Sequence, residues 1–518
     1  MNGMTPLCHA PGLHGTHTEG NTPYFDGPAP WPFIGNLFFF SKLLQDPDNE
    51  LMKLARRYGG ICMLWFRSKP IIVINKAQAA KELLDMRGSI YSDRPQDDFR
   101  QRAWPWRLVT TGVGHQFRVL RNIYNTLLNP QQSAKFRKYQ DYEAKIMLKD
   151  LAEAPSQFLA HTERFALSVI FSAVYGVRLQ QLDHPIMTEF YAVWEDMLYY
   201  FQPGTLLLDY FPVLQKLPPS LQPWLKRAQA LGKRESALNR AFLRTLQSQV
   251  KENTAPNCFG SELVKIQDKE GIDDEKAMHI LAMLIGAGAD TTSSVIQSFF
   301  KVMALNPGAA LTAQKELDRV VGPLRMPSWA DEPNLPYVRA LIKEVHRWAP
   351  VGTLGVPHAT SKEDIYLGRK VPKGTVVFPN LSVLSRDPAV YQDPDAFRPE
   401  RFIGDNLNAS ASANHSDFRR RDHFHYGFGR RLCQGIFVAE ASLFIAISRV
   451  LWAFDISPDP GSPPLNINDK IAGLVTKPKP YKLCITPRSE SRKRLINKSA
   501  SNSQTDILDF DSIQVLRD

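Results

Sequence analysis

The sequence predicts a mainly α-helical protein with a few small β-sheets. Three observations carry this. Long stretches repeat apolar residues at helical spacing, the longest running from Asp273 or Asp274 to Asn306. Strand patterns are short and few, chiefly Ile61 to Phe66, Pro70 to Asn75 and the stretch Gly352 to Phe378. Prolines stand where helices begin or just after they end.

At 518 residues the chain has room for two or three domains, and large single-domain enzymes reach the same size. Its 43% apolar and 22% charged residues place it among globular proteins, with enough apolar mass for a large core. The five cysteines, Cys8, Cys62, Cys258, Cys433 and Cys484, are scattered and odd in number. That excludes a disulfide framework and suits a reducing compartment. The net charge is +11, yet no nucleic-acid motif accompanies it. A basic surface facing an acidic protein or anionic lipid is the expected reading. No run of about 18 apolar residues is present, so no transmembrane helix is predicted.

Residues 1–22 read as a flexible leader, whose His9, His14 and His17 fit a disordered tail better than a metal site. Pro23 to Pro32 is proline-rich and extended, and Phe33 to Asn36 enters the folded body. Pro47 to Tyr58 is a helix capped by Asp46. Lys76 to Arg87 is helical, residues 94–112 read as a mobile loop, and His115 to Leu128 is an amphipathic helix. Helices follow from Ala134 to Glu153, Thr162 to Tyr175, Pro185 to Tyr200 and Pro223 to Asn253. Met197 to Leu214 is unusually apolar but broken by prolines, which suits either core or a membrane-contacting surface.

The Asp273–Asn306 helix spans roughly 50 Å at 1.5 Å per residue. Helices Ala309 to Val321 and Pro336 to Trp348 come next. A proline-rich meander runs from Asp387 to Phe402, and Asn406 to Ser416 looks like a loop insertion. The last 30 residues, 489–518, read as a disordered polar tail, leaving 23–488 as the folded body.

Three constellations carry chemistry. The long helix contains Ala287-Gly288-Ala289-Asp290-Thr291-Thr292, small residues with an acid and an alcohol at a place where they weaken a helix. Small residues also serve close helix packing, and Thr291 can bond back to the previous turn. Glu344 and Arg347 share a helix face, and Arg401 can join them if the meander folds over that helix. Tyr426-Gly427-Phe428-Gly429-Arg430-Arg431-Leu432-Cys433-Gln434-Gly435 places one cysteine among glycines and arginines at a helix start. Positive charge and a helix N-terminus favour thiolate, the metal-binding form. Gly435 leaves room for a flat group beside that helix. Arg121, His358 and Arg431 are basic residues that could reach an anionic cofactor.

In this order the elements resemble the cytochrome P-450 superfamily of haem-thiolate monooxygenases, over about residues 27–488. The resemblance implies a single haem-enclosing domain and one haem b ligated by Cys433. It implies that Asp290 and Thr291 are the acid–alcohol pair supplying protons for dioxygen activation. Glu344, Arg347 and Arg401 match the structural triad, with Gly429 and Gly435 in the cysteine loop. Arg431 and Arg121 match the propionate-binding positions, and His358 is a weaker candidate. Two departures stand out. Tyr426 replaces the usual phenylalanine, with a hydroxyl able to donate toward the sulfur or a carbonyl. Phe117 replaces the tryptophan that often contacts a propionate.

The implied reaction is oxidation of a lipophilic small molecule with O2 and NADPH-derived electrons from a flavoprotein reductase. A docking face is expected near Arg419, Arg420 and Arg421. Pocket walls are expected from 94–112, 201–211, Met283, Ala287, Val351 to Val356 and Gly473 to Val475. The stretch Ser89 to Pro95 and the long central region resemble filamentous-fungal enzymes of specialised metabolism, which implies polyketide, terpenoid or alkaloid tailoring. Alternatives are a xenobiotic or fatty-acid hydroxylase, or a reductase-independent isomerase or dehydratase, against which the intact acid–alcohol pair argues. A monomer is expected, on the cytosolic face of the endoplasmic reticulum membrane, held peripherally through Phe33 to Phe40 and 198–211 or by an anchor missing from this chain, or else cytoplasmic.

Overall fold

The computed structural model describes residues 23–95, 98–180, 185–201, 212–471, 473–502 and 508–509. The leader, with its histidines, and residues 202–211 of the expected membrane-contacting stretch lie outside them. Helices dominate, as the apolar periodicity predicts. The longest is Asp274–Leu305; Asp273 caps it by accepting from the Lys276 N–H at 2.9 Å. It is buried along most of its length and contributes to both large apolar clusters of the core. Its commonest neighbour is the Phe158–Tyr175 helix. Two glycines allow that closeness. A Cβ on Gly286 would meet the Trp194 ring at 1.9 Å, and one on Gly288 would meet Ile170 at 2.7 Å. The small-residue patch therefore serves helix packing, whatever else it does.

The main sheet has four strands in the order Ile61–Phe66, Lys69–Ile74, Val376–Pro379, His358–Ala359. The first two form a hairpin, and Lys69–Ile74 then pairs in parallel with Val376–Pro379. Two helices, Asp274–Leu305 and Ile436–Ala453, are long and apolar enough to cross a membrane, but both are largely buried within the protein. They are core helices.

Four stretches differ from the sequence reading. Leu37–Gln45 is a helix where only chain entry into the body was read. The supposed loop 94–112 contains a helix, Asp98–Ala103, and buries Trp104 and Arg107. Buried Arg107 is ion-paired with buried Glu235, which ties this segment to the Pro223–Lys251 helix. The supposed insertion holds a short helix, Ala409–Asn414, capped by Asn408, with Ser412 fully buried. The polar tail is also not wholly without a core. Residues Glu490–Ser501 form a helix that buries Ile496, Arg492 and Ala500 against the Arg137–Glu153 helix and its surroundings. Leu508–Asp509 then pairs with Val177–Arg178.

Candidate active site

Cys433 sits between a 3-10 turn, Gly429–Arg431, and the first turn of the Ile436–Ala453 helix. Its N–H donates to the Tyr426 carbonyl at 2.7 Å, which closes the loop. Gly427 and Gly429 have φ of 79° and 46°, conformations that suit glycine. A Cβ on Gly429 would also strike the Leu84 carbonyl at 2.6 Å. The Cβ position of Gly435 meets nothing within 4 Å. Gly429 is thus required by the protein's own packing, whereas Gly435 leaves the space beside the cysteine open.

The sulfur's electrostatics are less one-sided than the loop composition suggests. Burial is the largest effect and pushes the Cys433 thiol up, while the Gly435 N–H and Arg121 act the other way. Yet the residue has accessible surface. Protein therefore surrounds the thiol while one side stays open, as at the wall of an internal cavity. A coordinating metal removes the thiol proton outright, so a raised thiol pKa does not argue against the expected ligand role. Arg430 is exposed and does not contribute to that balance.

The arginines converge as expected. Arg121 donates to the Leu432 carbonyl at 2.9 Å. Arg431 donates to the carbonyls of Ser92 (2.8 Å), Leu108 (2.9 Å) and Thr111 (2.7 Å), and lies over the Phe117 ring at 4.0 Å. Burial, opposed by Asp93 and aided by Arg121, brings the Arg431 pKa down to about 10. Neither arginine forms an ion pair with a carboxylate among the described residues. Two mutually repelling guanidiniums beside an open thiol fit a cofactor with an anionic edge. Phe117 supports Arg431 through its ring face, an interaction tryptophan also makes.

His358 is buried, and its pKa is brought down to about 3, first by burial and then by Arg94 and Arg431. Its Nδ1 lies 2.8 Å from the Tyr91 carbonyl, which can only accept, so that nitrogen carries the proton. A neutral ring then presents only an acceptor at Nε2. To grip a carboxylate, His358 must first become charged. Sequence reasoning missed Arg94, a buried arginine between His358 and Arg431 that donates to the Val109 (2.8 Å) and Pro357 (2.6 Å) carbonyls. Its only local signal is a charge beside a proline.

Tyr426 departs from expectation. Its hydroxyl is buried and has no hydrogen-bond partner among the described residues, so the expected donation to sulfur or carbonyl is not seen. The ring instead sits beside His423 at 5.1 Å and His346 at 5.7 Å. His346 and His423 stack at 4.4 Å. Burial holds His346, His423 and His425 all neutral, His346 with a pKa of about 4. Of the expected docking arginines, Arg419 and Arg420 are exposed. Arg421 is buried, donating to the His423 and Gly427 carbonyls and lying over Phe424 and Phe428. It cannot meet a partner.

Glu344 and Arg347 are both fully buried and joined by two bonds, 2.7 and 2.8 Å. Arg401 reaches Glu344 at 3.1 Å, so the meander does fold over the Pro336–Trp348 helix. Arg347 also donates to the Ser385, Pro394 and Ala396 carbonyls, which pins the meander in place.

In the middle of the long helix the partly accessible positions are Met283–Leu284, Ala287–Gly288 and Thr291, spaced as one face. The Thr291 hydroxyl donates to the Ala287 carbonyl at 2.7 Å. Asp290 is buried, and its Oδ1 lies 2.5 Å from Lys477 Nζ. Val438, just after the cysteine loop, shares a core cluster with Ile285 and Ala289. The cysteine-bearing helix and the middle of the long helix therefore belong to one region. No cluster of His, Cys, Asp and Glu suited to a bare metal ion is present among the described residues.

Comparison with known proteins agrees with this geometry. The cytochrome P450 family profile matches residues 26–485. Cytochrome P450 monooxygenase polD of Polytolypa hystricis (strain UAMH7299) is 60% identical over 491 residues, 95% of each chain. Cytochrome P450 monooxygenase virE of Hypocrea virens is 34% identical, over 92% of this chain and 88% of its own. Cytochrome P450 monooxygenase fogE of Aspergillus ruber is also 34% identical, over 92% and 89%. The chain belongs to the cytochrome P450 family and is a haem-thiolate monooxygenase, using O2 and NADPH-derived electrons delivered by a reductase.

Proposed function

We propose that this enzyme oxidises a lipophilic small molecule of specialised metabolism, of polyketide, terpenoid or alkaloid type. The observation that carries the reading is the partly accessible, mainly apolar face of the long helix, where Met283, Ala287 and Thr291 border buried Asp290. Cys433 would ligate haem b, with Arg431 and Arg121 toward its propionates, Phe117 behind Arg431, and Gly435 making room for the ring. When bound, the haem supplies the oxidising chemistry, and its thiolate ligand favours cleavage of the O–O bond. The chain's own part is to orient substrate against residues 351–356 and 473–475, exclude water, and move protons through Asp290 and Thr291. General acid catalysis of this kind contributes about 10²–10⁴-fold. Exposed Arg419 and Arg420 are the docking face for the reductase's acidic surface. Exposed Trp31, Phe33 and Phe38 (62%, 79% and 57% accessible) support peripheral contact of a monomer with the endoplasmic reticulum membrane.

The test is substrate-binding difference spectroscopy of the holoenzyme against a panel of such metabolites. A spin-state change with one of these classes is expected. A response to fatty acids alone would overturn the assignment in favour of a fatty-acid hydroxylase.

A further inference from the structure

Lys477 lies on a short strand, Lys477–Pro478, paired antiparallel with Lys470–Ile471. The preceding residue, Thr476, is tied to the 351–356 segment. Its N–H donates to the Val351 carbonyl at 2.5 Å, and its hydroxyl lies 3.3 Å from that of Thr353. The hairpin is held to the long helix farther along, where buried Lys301 donates to the Asn466 (3.1 Å) and Asp469 (3.2 Å) carbonyls. From this frame Lys477 reaches back to Asp290 Oδ1. Its side chain is 29% accessible and that of Asp290 only 5%, so the lysine bridges from the edge of the protein to its interior.

The other carboxylate oxygen, Asp290 Oδ2, is buried and has no partner among the described residues. A buried carboxylate oxygen left bare calls for a water or another donor. Glu163 stands near both Asp290 and Lys477 and accepts from the Gln297 side chain at 3.2 Å. One lysine thus faces two carboxylates.

We propose that Lys477 is a positioning residue: it fixes Asp290 by Oδ1, leaves Oδ2 free to pass protons through water toward Thr291, and ties that pose, through Thr476, to the substrate-facing segments 351–356 and 473–475. The idea rests on Asp290 being the proton-supplying acid. Without Lys477, Asp290 keeps its carboxyl but loses its fixed orientation. Reduced dioxygen then leaves after two electrons and two protons, as hydrogen peroxide. Four of each are needed to make two waters.

The experiment uses the holoenzyme with a purified NADPH reductase and no added organic substrate. It reads hydrogen peroxide released per NADPH consumed, and separately the thermal midpoint. Lys477→Gln is expected to raise the peroxide fraction at least twofold, and Lys477→Arg to restore it. Lys477→Gln should also lower the midpoint, and that shift should shrink in an Asp290→Asn background, where only Glu163 still faces the lysine. Additive midpoint shifts would mean that the ion pair does not form in solution and would overturn the proposal. So would a peroxide fraction unchanged in Lys477→Gln but altered in Asp290→Asn. If Asp290→Asn also leaves the fraction unchanged, the acid role of Asp290 fails, and the proposal falls with it.

Discussion

Glu440 is a carboxyl held out of water beside the Ala409–Asn414 helix, accepting the Ala409 N–H at 2.6 Å. Burial, aided by Asp422 and Glu332, raises its pKa to about 7 from 4.5. The unfolded chain therefore gives up this proton near pH 4.5 and the folded one near pH 7. Between those values the folded state binds more protons, so stability falls as pH rises through the window. Glu440→Gln keeps the acceptor and removes the penalty. It is expected to stabilise the holoenzyme by about 1–2 kcal/mol at pH 8, allowing for solvent screening, and to change little at pH 5. Urea melts at the two pH values measure this. Tyr426→Phe removes a buried hydroxyl that bonds to nothing described, so its cost is expected to be near zero. The haem reduction potential, measured by spectroelectrochemistry, should stay within error of the parent. A clear shift would mean that the hydroxyl acts through water. At this scale the nearness of Arg121 and Arg431 to Cys433 was legible, because Arg431 shares the cysteine's loop and Arg121 lies on an amphipathic helix that reaches the Leu432 carbonyl. Lys477 and Arg94 were not, because their meaning depends on partners brought together only by the fold.

The Pro336–Trp348 helix shows how much one element can rest on two residues. Arg347 is fully buried, bonded twice to Glu344, to two carbonyls of the meander and to the Ser385 carbonyl just before it. Lysine keeps the charge but loses the planar fork, so Arg347→Lys strands those carbonyls, while Glu344 keeps Arg401 and the Arg398 N–H. A cost of about 1–3 kcal/mol is expected from the acceptors left unsatisfied. It should be read as a lowered urea midpoint and a smaller haem-loaded yield. Helices with a proline or a capping acid at the start, such as Pro47–Tyr58, Asp274–Leu305 and Pro336–Trp348, were legible because those signals are local. Leu37–Gln45 and Asp98–Ala103 were not. The first begins with aromatic residues that read as a hydrophobic entry, and the second is charged and short, held by what packs on it.

For the molecule as a whole, the mainly helical class followed from the repeated 3.6-residue pattern and the scarcity of alternation. The C-terminal region did not follow, because average composition hides its attachment. One isoleucine is buried, Arg492 lies over Trp452, and Arg488 and Arg492 both pair with Asp318. Polar helices can dock through a few such contacts where a composition count sees only solvent-facing residues.

That docking bears on the timing of folding. The Glu490–Ser501 helix closes on Arg137–Glu153, and Leu508–Asp509 on Val177–Arg178. The partners of both are made early, and the closing pieces almost last. Arg121, Ser92, Leu108 and Thr111 likewise wait for the loop before Cys433, which brings them the Leu432 carbonyl and the Arg431 side chain. During synthesis the first half must therefore remain able to receive these pieces after it leaves the ribosome. A stop codon shortly after residue 433 would leave Cys433 present on a body missing both the Ile436–Ala453 helix and the Glu490–Ser501 helix that fasten it.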